Sequence, residues 1–305
     1  MKIRADPHDI RLHDIIEKSR TIEKPYIGII GVPFDGSTRG RPGARFAPRC
    51  IRSELYSFTT HVTGIDLGNA TIRDFGDVPT FYGSVERNKK EIYKYIRDLL
   101  DRCNRLIVLG GDHSITEPSF RAFSEKYSRV GLVILDAHLD MRELSMGMVS
   151  SGTVIGDIIN KIGSKIRPEN IVYVGVRDFV NPGYYLKKAE KLGVRIIKSI
   201  DILTGKISLD DVINECLEKA VEGVDATYIS FDVDVMDCSY APGVNSPSPL
   251  GLRPEHIVRI LEQLGSNKKT IVLDVTELAP VYDPIGTTCK NVAICILHFI
   301  IGVLR

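Results

Sequence analysis

The sequence has no surplus of charge: 40 basic residues stand against 39 acidic ones in 305, a formal net charge of +1. That absence excludes a global field drawing the chain to nucleic acid, an anionic membrane or an acidic partner. A small-molecule substrate is the expected ligand. No Pro/Ser/Gly-rich linker, low-complexity tract or repeat period divides the chain, so one domain over residues 1–305 is expected. The six cysteines, Cys50, Cys103, Cys216, Cys238, Cys289 and Cys295, lack C-x-x-C spacing. This argues against zinc sites and a disulfide framework, and predicts buried free thiols. The opening Met1-Lys2-Ile3-Arg4-Ala5-Asp6 is polar, unlike a signal peptide or targeting helix, and points to a cytoplasmic protein.

What is present is a balance of 43% hydrophobic and 26% charged residues, suited to a soluble protein with a large core. Short Val/Ile-rich runs alternate with stretches of helical periodicity, the pattern of parallel strands covered on both faces by helices. The expected fold class is α/β. The clearest strands are Ile27 to Val32, Arg105 to Leu109, Leu132 to Leu135, Ile171 to Val176, Ala226 to Phe231 and Thr270 to Val275. Helical spacing marks Lys89 to Cys103, Ser208 to Val221 and Pro254 to Leu264.

Acids and histidines follow these strands: Gly110-Gly111-Asp112-His113, Asp136-Ala137-His138-Leu139-Asp140, Asp232-Val233-Asp234 and Glu277. Ligands bind at the carboxyl ends of strands in open α/β sheets, so four strands aim polar groups at one crevice. Polar residues at every second position of 136–140, and at 232 and 234, point one way on an extended backbone. Clustered there, they repel and desolvate one another unless cations neutralise them. Carboxylates with one or two imidazoles suit Mn²⁺ foremost, then Mg²⁺, Co²⁺ or Zn²⁺. Two ions roughly 3.5–4 Å apart share a bridging water and deliver hydroxide at neutral pH, which is hydrolytic chemistry. A single Asp-x-Asp at a strand end is usually a turn or cap; the three motifs together are far more specific.

At these residues the sequence resembles the ureohydrolase family, the arginases, agmatinases and their relatives. The late Asp274-Val275-Thr276-Glu277-Leu278-Ala279-Pro280 also matches the family's Asp-x-x-Glu-x-x-Pro. The resemblance implies a three-layer α/β/α fold around a mainly parallel sheet and a site for two Mn²⁺. It implies one ion on His113, Asp136, Asp140 and Asp232, and the other on Asp136, His138, Asp232 and Asp234, with Asp136 and Asp232 bridging. Glu277 would accept the substrate's guanidinium fork. Asp140 and Glu277 are the candidate catalytic residues; Arg142, Ser151 and Glu277 are the candidate substrate-binding ones. The family also implies a homo-oligomer, trimer or hexamer.

Gly31-Val32-Pro33-Phe34-Asp35, Arg41-Pro42-Gly43-Ala44-Arg45 and Pro48-Arg49-Cys50-Ile51-Arg52 resemble the agmatinase branch. The expected reaction is therefore hydrolysis of agmatine to putrescine and urea. Two positions depart from that pattern. In Val149-Ser150-Ser151-Gly152-Thr153, Ser151 stands where agmatinases carry an acid/base histidine, and Arg142 follows the metal motif. Both also resemble formimidoylglutamases, in which an arginine suits a dicarboxylate tail; near agmatine's ammonium it would repel. The alternatives are formimidoylglutamate or another guanidino acid as substrate, or a non-catalytic family member. Pairing of Arg142 with Glu143 is the bland reading of that arginine. His8, His13, His256 and His298 are expected to be surface or core residues, His61 to sit in a loop able to approach the site, and Tyr184-Tyr185 to be packing.

Overall fold

The structure, a computed structural model, describes residues 6, 8–143 and 149–305. Residues 1–5, on which the reading of a polar opening rests, lie outside the described residues. In chain order the strands are β1 (Ile27–Gly31), β2 (His61–Val62), β3 (Ile65–Asp66), β4 (Ile72–Asp77), β5 (Arg105–Leu109), β6 (Val130–Leu135), β7 (Ile166–Val176), β8 (Arg195–Lys198), β9 (Ala226–Asp232) and β10 (Thr270–Thr276). The helices are α1 (Leu12–Lys18), α2 (Ala47–Leu55), α3 (Val85–Arg102), α4 (Thr116–Ser124), α5 (Val154–Ile162), α6 (Gly183–Leu192), α7 (Ser199–Leu203), α8 (Leu209–Cys216), α9 (Pro254–Gly265) and α10 (Thr287–Leu304).

Eight strands form one sheet in the order β4-β1-β5-β10-β9-β6-β7-β8, and every pairing in it is parallel. Successive strand residues face opposite sides of the sheet. Ile107, Leu109, Val133, Leu135, Ile229 and Phe231 pack into one apolar cluster with residues of α2, α8, α9 and α10. Leu106, Val108, Leu132, Ile134 and Tyr228 pack into a second with residues of α3, α4 and α5. Three layers result, α/β/α. Helix α10 is long and apolar enough to cross a membrane, with a mean hydropathy of 1.7, but 67% of it is buried inside the fold.

Strands β4 and β8 went unread in the sequence. They are the two edges of the sheet, and edge strands need no continuous apolar run: β4 reads Ile-Arg-Asp-Phe-Gly-Asp and is half exposed. Cysteine usage also differs from expectation. Cys50 of α2 and Cys289 of α10 form a disulfide with Cα atoms 6.1 Å apart, while Cys103, Cys216, Cys238 and Cys295 are free. The pair is separated by 239 positions, and only the packing of α2 on α10 brings it together.

Candidate metal centre

The chain lays β5 beside β1, jumps to β6, builds outward to β8, and then fills the gap with β9 and β10. The four central strands β5, β10, β9 and β6 are therefore neighbours, and their carboxyl ends carry His113, Glu277, Asp232 with Asp234, and Asp136 to Asp140 in turn. The sheet order supplies the convergence that sequence alone only suggests.

Close approach shapes the turn before His113. A Cβ on Gly111 would lie 1.6 Å from the Phe34 carbonyl oxygen, and one on Gly110 would lie 2.5 Å from the Val275 oxygen. The Asp112 N–H donates to Phe34 O at 2.8 Å. Asp112 Oδ1 accepts from Ser114 N at 3.0 Å and Oδ2 from Ser37 N at 2.8 Å. Burial pushes the Asp112 carboxyl up to about 6 against these donors.

Two further strand ends repeat that turn. Asp136 Oδ1 accepts from His138 N at 2.6 Å, and Asp232 Oδ1 from Asp234 N at 2.9 Å. These are Asx turns, in which one carboxylate oxygen caps the backbone two residues on. The other oxygen is left for the cluster. His113 Nδ1 lies 3.3 Å from Asp136 Oδ2, 2.9 Å from Asp140 Oδ2 and 3.2 Å from Asp232 Oδ2. His138 Nδ1 lies 3.0 Å from Asp234 Oδ2 and 3.5 Å from Asp136 Oδ1. The extended backbone expected for 136–140 is corrected here: the segment bends at Ala137 and His138, and Asp140 is left-handed at φ 45°. Turns, not strand alternation, aim these side chains. The first turn of α5 holds the strained residue, with Ile155 N donating to Asp140 O at 3.0 Å.

The orientation of His113 follows from a buried relay. Asp274 accepts from Ser230 Oγ at 2.7 Å, Thr116 Oγ1 at 2.7 Å and Tyr228 OH at 2.6 Å. With its proton committed to Asp274, the Ser230 hydroxyl accepts from His113 Nε2–H at 3.0 Å. Nδ1 then faces three carboxylates and, once its proton is displaced, presents a lone pair among them. Glu277, at φ 66°, accepts the His113 N–H on Oε1 at 2.7 Å and fixes the same turn from β10.

Among the described residues, His113 Nδ1, Asp136 Oδ2 and Glu277 Oε2 are buried without a hydrogen-bond partner. Leaving such atoms unpaired is costly. Two donor sets account for the first two: His113, Asp136, Asp140 and Asp232, then Asp136, His138 and Asp234, each with ligand atoms within 4.8 Å of one another. Asp136 belongs to both. Asp232 belongs only to the first set, although the family resemblance had it bridging. Burial opposes charge on His113, yet hydrogen bonds to Asp136, Asp140 and Asp232 raise it well above its usual value. His138, likewise resisted by burial and raised by Asp234 and Asp136, reaches about 12. Asp136 is pushed up by burial but held down to about 2 by the two imidazoles. Asp232, by contrast, is driven well up by burial and by Asp234 and Asp136. Imidazole and carboxylate donors held this close fit two hard or borderline divalent cations.

Beside the donors a cleft opens between Arg39, Arg142, Ser151 and Glu277. The stems of both arginines flank Gly152, whose Cβ would lie 3.1 Å from Arg39 Cδ and 3.4 Å from Arg142 Cδ. Glu143 pairs with Lys188, not with Arg142, and among the described residues neither arginine has an acidic partner. Arg39 was missed in the sequence; an exposed arginine after Gly-Ser-Thr carries no periodic signal. Ser151 is buried, with its N–H donating to Ser37 O at 2.9 Å. The agmatinase-like N-terminal residues serve instead as scaffold. Asp35 takes Gly43 N at 2.8 Å and Arg45 Nε at 2.6 Å. Arg41 donates to Val244 O at 2.6 Å, and Arg52 to Asp74 at 2.6 Å.

His61 does not approach the cleft: it is exposed in the β2–β3 hairpin, paired with Asp66, in the connection leading into the amino end of β4. Tyr184 is 64% exposed, with its ring edge-on to that of Tyr185 at 5.1 Å, while Tyr185 OH accepts the Glu143 N–H at 3.0 Å and steadies the backbone beside Arg142.

The Arginase family profile matches residues 25–302. The chain belongs to the arginase family. Among its relatives in that family, the formimidoylglutamase of Halalkalibacterium halodurans is 32% identical over 90% of this chain and 86% of its own length. The agmatinase of Bacillus anthracis is 30% identical over 88% of each chain. The crystal structure of formimidoylglutamase from Bacillus subtilis superposes with a TM-score of 0.91 at 25% identity, covering 99% of this chain and 94% of that one. The arginase-family assignment makes this chain one of a group of metal-dependent amidinohydrolases.

Proposed function

We propose that this chain is a manganese-dependent hydrolase of a carboxylate-bearing formimino or guanidino compound, with formimidoylglutamate as the leading substrate. The observation that carries the reading is the pair Arg39 and Arg142, without acidic partners among the described residues, at the mouth of the cleft beside His138 and Asp140. Two guanidinium groups attract a dicarboxylate tail and repel the ammonium tail of agmatine. The segments that favour agmatine, residues 31–35, 41–45 and 48–52, spend Asp35, Arg41, Arg45 and Arg52 on scaffold contacts. They therefore weigh less than the residues facing the cleft.

The residues present fit two cations: His113, Asp136, Asp140 and Asp232 would hold one, and Asp136, His138 and Asp234 the other. When bound, divalent ions at such a site lower the pKa of water, so that it attacks near neutral pH. Glu277, with Oε1 held by the His113 N–H and Oε2 open, accepts an N–H of the amidinium and orients its carbon. Arg39 and Arg142 hold the tail, and the Ser151 hydroxyl borders the reacting end. Hydrolysis of the C–N bond then yields formamide and free glutamate.

The test is to incubate the Mn²⁺-loaded protein with formimidoylglutamate and, separately, with agmatine, assaying formamide and urea. Formamide from the first alone is expected. Urea from agmatine without formamide would reverse the assignment, and the appearance of neither product would rule out both substrates. Arg142→Ala is expected to raise KM for formimidoylglutamate about 10–100-fold with little change in kcat, the loss of one charge-assisted hydrogen bond.

A further inference from the structure

The opposite edge of the sheet carries a second polar feature. Where β1, β4, β5 and β10 begin, a groove of about 480 Å³ is lined by Tyr26, Thr71, Arg105, Lys268 and Arg305, among others. Its volume falls in the range of small-molecule sites, roughly 300–1,000 Å³.

Arg105, the first residue of β5, is only 6% exposed. Its Nη1 donates to the neighbouring Asn104 carbonyl at 2.9 Å, and its Nε is buried without a hydrogen-bond partner among the described residues. No carboxylate pairs with it among those residues. The Tyr26 ring centroid lies 5.8 Å from its guanidinium carbon, near the outer limit of a useful cation–π contact. A buried guanidinium without a counter-ion is costly, and the cost falls when an anion meets it. The other charges facing the groove do not supply that anion. Arg305 is matched by Glu262, which also holds His298, and Lys268 is an exposed cation without an acidic partner among the described residues. Thr71 Oγ1 accepts from Tyr26 N at 2.9 Å, which leaves its hydroxyl proton free to donate.

We infer that this groove is an oxyanion-binding site, remote from the metal centre, in which Arg105 and Lys268 receive the phosphate or carboxylate group of a small molecule. Arg105 supplies a fixed, desolvated fork, Lys268 a mobile second charge at the rim, and Thr71 a neutral donor.

The test is calorimetric titration of the metal-loaded protein, at constant ionic strength, with inorganic phosphate and separately with acetate, which lacks the dicarboxylate tail that the metal-centre cleft is proposed to hold. Saturable binding of at least one is expected, and the anion that binds more tightly identifies the source. Lys268→Ala, at an exposed position, is expected to weaken that binding about tenfold, and Arg105→Met to abolish it. Arg142→Ala, at the metal-centre cleft, is expected to leave it unchanged. Should Arg105→Met fail to fold, the Lys268→Ala and Arg142→Ala pair still decides. Absence of saturable binding overturns the inference, as does binding that survives Lys268→Ala intact or is lost in Arg142→Ala.

Discussion

At Asp136 one carboxylate performs two tasks: Oδ1 caps the backbone of His138, and Oδ2 faces His113 without a hydrogen-bond partner among the described residues. Asp232 divides its oxygens similarly. The turn reading and the ligand reading of these acids, alternatives in the sequence, are compatible in the same residue: one oxygen caps the turn and the residue also belongs to a candidate donor set. The Ser230 hydroxyl completes the arrangement from behind by fixing which His113 nitrogen carries the proton. Ser230→Ala is expected to weaken metal affinity about 10–100-fold, as loss of such supporting contacts does, with melting temperature of the metal-free protein little changed; unchanged affinity in a metal competition assay would remove Ser230 from that role. Protonation sets a second expectation. The carboxylates raise His113 and hold His138 at about 12, so the metal-free centre keeps protons that a cation must displace. Affinity therefore falls as pH falls, by up to about tenfold per pH unit for each displaced proton. Titration against a chromogenic chelator between pH 8 and 6 measures this, and a flat profile would contradict it.

Elements place these residues through their ends rather than their bodies. The buried strands β5, β6, β9 and β10 were legible because a strand covered on both faces must be apolar throughout. Edge strands β4 and β8 were not, since solvent on one flank tolerates charge. The geometry between strand and helix was legible only as residue types. Gly111 shows why: its need for glycine comes from the Phe34 carbonyl, 77 positions earlier in sequence, at 1.6 Å from where a Cβ would sit. Gly111→Ala is expected to destabilise the fold by about 3 kcal/mol and to displace His113, read as a lower denaturation midpoint together with lost metal binding. A folded, metal-replete variant would show that the 33–37 loop can yield. Asp140 and Glu277 were read as functional acids, but their left-handed backbones, at φ 45° and 66°, emerge only where α5 and the His113 turn hold them.

For the whole molecule, the disulfide between Cys50 and Cys289 ties α2, which follows the loop bearing Arg39, to α10, which follows the loop bearing Glu277. Under denaturing, non-reducing conditions four of the six cysteines should react with a thiol reagent, and Cys289→Ser should cost about 2–4 kcal/mol of stability. Six reactive thiols would remove the bridge. The sequence by itself determined the fold class, and it named as candidates the six donor residues and Glu277, because strand periodicity and short motifs are local. Only the tertiary structure decided three other things: which donors share a set, that Arg39 joins Arg142 at the cleft, and that the agmatinase-like N-terminal residues are scaffold. Each of these depends on contacts between segments far apart in the chain, and neither composition nor spacing records which segments the sheet order makes neighbours.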